Sequence, residues 1–240
     1  GGTSSAPYST GTYNTALGKS ALGAFTTGYN NVAVGSSAGD AINTGYNNTI
    51  MGESAGTNLT TGFGNVIIGR VAGYATTDVD KAVIIGEQAG YTGNMTSAAD
   101  GTVSIGSGAG KNITSGQANV AVGFGALTSE DTGDFNTAIG YQALLSQNRD
   151  GTVNNTSVGY HAGYDVTTGY GDTLIGSLAG HNITEGIENT IIGNSAAASL
   201  TIGDWNTALG VQALATEDVG RGTTAIGYQT LYSQNSDSND

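Results

Sequence analysis

A motif of the form Asn-Thr/Val-x-aliphatic-Gly-x-x-Ala recurs thirteen times along this chain at an almost constant interval. Self-similarity at a short fixed period restricts the chain to a stacked repeat architecture, in which each unit buries its apolar face only against its neighbours. The anchor glycines are Gly18, Gly35, Gly52, Gly69, Gly86, Gly106, Gly123, Gly140, Gly159, Gly176, Gly193, Gly210 and Gly227. The step is seventeen residues, except for twenty from Gly86 to Gly106 and nineteen from Gly140 to Gly159. Insertions confined to two steps mark turns that tolerate extra residues, around Tyr91 to Asp100 and Leu144 to Thr152. These insertions are expected to bulge from the surface and to be favoured places for recognition.

Each column of the repeat has a physical meaning. The residue before every anchor glycine is aliphatic, from Leu17, Val34 and Met51 to Leu209 and Ile226, and two residues earlier stands a β-branched Thr or Val. Alternation along a strand puts these two columns on one face. Their invariance predicts that this face is the core of the coil. The intervening position holds residues such as Ala33, Ile50, Ile67, Ile84, Ser104, Leu174 and Ile191 and never a charge, so it is expected to meet a neighbouring subunit. Three residues after the glycine an alanine recurs in twelve copies, which lets the opposite wall approach closely. Asparagine precedes the strand in nine copies, Asn31, Asn48 and Asn65 among them, and at a coil spacing of about 4.8 Å such a column forms an amide ladder. Gly28, Gly45, Gly62 and their counterparts mark a turn where positive φ is expected.

The fold expected is therefore all-β: a parallel β-solenoid, or β-roll, of about thirteen 17-residue coils. It forms a single repeat domain over 1–240, with a partial coil at 1–10, repeats over 11–231 and a truncated coil at 232–240. Without an initiator Met the chain reads as processed or as an excised fragment, and its last coil stops short as though cut from a longer fibre.

Composition narrows the function. Nineteen acidic residues against six basic ones give a net charge of −13, which repels nucleic acid and anionic membrane surfaces. No cysteine is present, and no apolar run approaches the roughly 20 residues that span a bilayer, so no membrane insertion is expected. His161 and His181, the only histidines, fall in different columns of different coils and read as isolated polar residues. Carboxylate neighbours such as Glu130 with Asp131 and Glu217 with Asp218 fall in outer turns and read as solvated charge. No catalytic group, metal site or cofactor site is expected, and the chain is not read as an enzyme. Aromatic residues share columns in successive coils: Tyr29, Tyr46 and Phe63; Tyr74 and Tyr91; Phe124, Tyr141 and Tyr160. Such ladders stack at the coil spacing, and their exposed rings are the candidate ligand-binding residues.

Stretches such as Asn-Thr-Ala-Ile-Gly-Tyr-Gln-Ala-Leu (136–144) and Tyr-Asn-Asn-Val-Ala-Val-Gly-Ser-Ser-Ala-Gly (29–39) resemble the head repeats of trimeric autotransporter adhesins. Similar repeats occur in phage tail fibres. The resemblance covers residues 11 to 231. It implies a left-handed parallel β-roll, a homotrimer, and an extracellular place on a cell surface or virion. It also implies attachment to a host glycan or protein as the function. An ice-binding β-solenoid is the alternative, since the chain is rich in Thr. The strand Thr column shares its face with the invariant aliphatics, however, and so reads as core. A polysaccharide-degrading β-helix would need acidic and basic groups clustered in a groove, and the six basic residues are scattered singly.

Overall fold

The computed structural model describes residues 10–234. They form a parallel β-solenoid of about 12 coils, and among the described residues the only helix is a single 3-10 turn, Ser97–Ala99. The chain divides into two compact units, 1–119 and 120–240. The first carries six three-residue strands: β1 (Thr15–Leu17), β2 (Val32–Val34), β3 (Thr49–Met51), β4 (Val66–Ile68), β5 (Val83–Ile85) and β6 (Val103–Ile105). The second carries β7 (Val120–Val122), β8 (Gly133–Asp134), β9 (Thr137–Ile139), β10 (Gly151–Thr152), β11 (Thr156–Val158), β12 (Thr173–Ile175), β13 (Thr190–Ile192), β14 (Thr207–Leu209) and β15 (Thr224–Ile226).

Register follows the repeat. Thr49 pairs with Val66, Ile50 with Ile67 and Met51 with Ile68, so like residues stack on like along each unit. The amide ladder forms as expected. Asn48 Nδ2 donates to Asn31 Oδ1 at 3.0 Å and to the Gly62 carbonyl at 2.9 Å, and Asn65 repeats the arrangement one coil on. The ladder satisfies polar groups that the turn leaves inside, each bond contributing about 1 kcal/mol net.

The faces of the strand are opposite to the sequence expectation. From Ala33 to Ala225 the middle residue of each strand is fully buried inside its own coil, including Ile50, Ile67, Ile84, Leu174 and Ile191. The β-branched and aliphatic columns flank it and point outward: Met51 is 41% exposed, Ile139 39% and Leu209 43%. A three-residue strand can turn only one side chain inward if its two neighbours face the other way. Alternation fixes which residues share a face but not which face encloses the core. The rest of the interior comes from the alanine column, fully buried from Ala21 to Ala213, and from residues seven after the anchor glycine, such as Ile42, Leu59 and Ile183.

One further expectation is corrected. Gly28, Gly45 and Gly62 do not have positive φ. They are required because the coils nearly touch there: a Cβ at Gly28 would lie 2.5 Å from the carbonyl oxygen of Gly45. Positive φ belongs instead to the anchor glycines, from +126° at Gly227 to +142° at Gly159, and to residues such as Asn30, Asn47 and Trp205 five before the next anchor. Both insertions carry local bonds of their own. The first contains the 3-10 turn, where Thr96 caps Ala98 N, and the second ends in β10, which pairs in parallel with β8.

Candidate functional site

The expected aromatic columns do stack, and they differ in quality. Tyr29, Tyr46 and Phe63 form a near-perfect ladder in the first unit, with ring centroids 4.9 and 4.8 Å apart and interplanar angles of 8° and 1°. Lys81 lies over the last ring, 5.6 Å from its centroid. Tyr74 and Tyr91 meet at 5.7 Å with a 42° tilt. In the second unit Phe124, Tyr141 and Tyr160 stack at 5.3 and 5.6 Å, and about half of each ring's residue surface stays exposed.

That last ladder is joined by side chains the sequence does not show to be neighbours. His161 sits 4.0 Å from Tyr160 and 4.6 Å from Tyr164, and its Nε2 lies 2.9 Å from Gln142 Oε1. Tyr164 stacks on His181 at 5.3 Å and 8°, and the two imidazoles are 5.8 Å apart. The histidines are therefore not isolated. The residues one, two and five after the anchor glycine converge on one turn, where His161 bridges the Tyr160 column to the Tyr164 column. Burial, then the neighbouring His181 charge, lowers the pKa of His161, opposed by Asp165. His181 Nδ1 lies 2.7 Å from Asn182 Oδ1 and 3.8 Å from Asp165 Oδ2. This convergence depends on the tight turn that begins at the anchor glycine, which the residue pattern does not display.

Beyond His181 the surface falls into a hollow of about 300 Å³ lined by Leu178, His181, Asn182, Ala198 and Ser199. Among the described residues no group of three or more His, Cys, Asp or Glu could hold a metal ion, and no helix is long and apolar enough to cross a membrane.

The acidic pairs are also not what their turn positions suggest. Glu130 and Glu217 are fully buried. Glu130 Oε1 accepts the backbone N–H groups of Asp131, Thr132 and Gly133, and Glu217 Oε1 accepts those of Val219 and Gly220. These carboxylates tie down turns from within the coil. Comparison with known proteins found no matching family model, no matching curated protein and no matching solved structure.

Proposed function

We propose that this chain is a segment of a homotrimeric extracellular fibre that attaches a cell or virion to a host surface, with no catalytic role. The observation that carries this reading is the outward face of the parallel sheets. In every three-residue strand two of the three residues point outward, one aliphatic and the other Thr or Val, and none of these is charged. An uninterrupted apolar stripe of this kind is rare on a soluble monomer and marks an interaction surface. Parallel association about a cyclic axis covers it and closes the assembly, which avoids open-ended growth. The resemblance of the repeats to adhesin heads and tail fibres supports the same assembly. The interface column is the one holding Met51, Ile68 and Ile85, not the buried column of Ile50, Ile67 and Ile84.

Light scattering should give the mass of a trimer at micromolar concentration. Ile68→Lys with Ile85→Lys should yield monomer that keeps its β-type circular dichroism. A monomeric wild type, or a double variant of full oligomer mass, overturns the assembly. The outward-facing Thr column also supports a second reading, an ice-binding face, because Thr137, Thr156, Thr173, Thr190 and Thr207 stack in register. Thermal hysteresis in a monomeric sample would favour that reading. The aliphatic partner column on the same face favours protein contact.

A further inference from the structure

The Tyr164 column stops short, and the place where it stops is the hollow. Tyr164 and His181 occupy equivalent positions in successive coils and stack face to face at 5.3 Å. The equivalent residue of the next coil is Ala198, whose methyl group leaves the position of a third ring empty. The hollow is lined by His181, whose ring ends the stack, by the apolar Leu178 and Ala198, and by the polar Asn182 and Ser199.

We propose that this empty rung binds one neutral pyranose unit of a surface glycan. The apolar face of the sugar would continue the stack on His181 and its hydroxyls would meet Asn182 and Ser199. About 300 Å³ lies at the small end of ligand sites and suits one ring rather than an extended chain. No lysine or arginine lines the hollow, and the chain carries a net charge of −13, so sialylated, sulfated and phosphorylated ligands are disfavoured. Asp165, 3.8 Å from the imidazole of His181, adds a further acceptor beside the stack. The exposed rings of Tyr160 and Tyr141, linked to this stack through His161, offer a surface along which the rest of a glycan can lie.

The biological use of the site rests on the attachment reading, but its chemistry can be tested separately. Saturation-transfer NMR would be run on the whole chain with methyl glycosides of mannose, galactose and glucose, beside an array of neutral, sialylated and sulfated glycans and aromatic peptides. At least one neutral pyranoside should bind saturably. Ala198→Tyr fills the rung with a residue type the column already accepts at Tyr164, so it should abolish binding while preserving the thermal midpoint. His181→Ala should weaken binding by about tenfold through loss of stacking. Asn182→Ala, at an exposed lining position, serves if the tyrosine variant does not fold, and it should also weaken binding. The proposal is overturned if no neutral pyranoside binds the wild type, if only charged glycans or aromatic peptides bind, or if the folded rung variants bind unchanged. Oligomer mass measured in parallel separates the two ideas. A monomer that binds sugar overturns the trimer alone, and a trimer that binds none overturns this site alone.

Discussion

The coil that carries Ile67 and the coil that carries Ala121 share a strand, an anchor glycine and a buried alanine, yet they fill the same interior by opposite means. In the first, the inward strand residue is Ile67, position four after the anchor is Gly73, and position seven is Thr76. In the second, the inward residue shrinks to Ala121, position four becomes Leu127, and position seven becomes the buried Glu130. A Cβ at Gly73 would lie 3.3 Å from Ile67 Cγ2 and 3.4 Å from Ile84 Cδ1, so the two isoleucines occupy the space that a leucine there would need. Leucine at position four accepts a left-handed backbone, φ +51° at Leu127, and is fully buried. The cost of that conformation, about 1 kcal/mol, is small beside burial of the side chain.

The comparison also shows that position four answers to two coils at once. Ala33 is small, yet its coil has Gly39, because Ile42 of the same coil and Ile50 of the next reach within 3.0 and 3.1 Å of where a Cβ would be. Leu22, Leu127, Leu144 and Leu214 occur where the inward residues of their own coil and of the next are Ala or Ser. The packing unit is thus a pair of coils, which is how a thin solenoid conserves interior volume with a varying sequence.

The largest effect should come from converting one type into the other. Ile67→Ala with Ile84→Ala should destabilise the first unit by at least about 4 kcal/mol through cavity formation. Adding Gly73→Leu should recover most of that loss, although alone it overpacks and should cost about 1–3 kcal/mol. Denaturant unfolding of the three variants checks this, and a triple variant no more stable than the double would break the volume exchange.

A smaller effect separates buried acids from buried amides. Asp172 takes an asparagine's place in the ladder, with Oδ1 accepting from Asn189 N and Nδ2. Its buried Oδ2, which has no partner, stands beside Gly169 where Asn31, Asn48 and Asn189 present Nδ2 beside Gly28, Gly45 and Gly186. A protonated carboxyl can donate there and a carboxylate cannot. Burial, opposed by the Asn189 hydrogen bonds and reinforced by Asp204 and Glu188, pushes its pKa up to about 7. The folded state therefore holds the proton more tightly than the unfolded chain. The contribution to stability is complete below about pH 4 and disappears as pH rises to about 7. Asp172→Asn should stabilise the second unit at pH 8 by on the order of 3 kcal/mol and flatten this dependence. Thermal midpoints at pH 5 and pH 8 test it, and equal shifts at both would refute it.

The least change is expected in the second coil type. Burial also raises the pKa of Glu130, opposed by the N–H groups of Gly133 and Asp131. Its contribution likewise falls as pH rises through the folded-state pKa, so Glu130→Gln should remove a modest loss of stability on the alkaline side. No such pH dependence should attach to Leu59, which fills the equivalent position in the Ile50 coil. Matched pH titrations of Glu130→Gln and Leu59→Met by circular dichroism would show whether the carboxylate is the source.

Much of the molecule follows from local chemistry that a sequence displays. A fixed repeat with β-branched residues two before each aliphatic leaves little besides a stacked parallel strand. The asparagine and aromatic columns had to form ladders because equal residues recur at the coil spacing. The direction of the strand face is of another kind. Thr49, Ile50 and Met51 are all compatible with burial, and two outward residues against one inward is the same alternation seen from either side. Constancy of the aliphatic column suggested a core. In the folded chain the true core is the more variable column, because Ala, Ser and Ile there are compensated at positions four and seven. The meeting of His161, Tyr164 and His181 likewise depends on how tightly the chain turns after the anchor glycine. Sequence alone determined the period, the strands and the ladders, since each rests on interactions between identical positions one coil apart. Only the tertiary structure decided which face encloses the core and which columns converge around a turn, because those depend on the backbone's curvature within a coil.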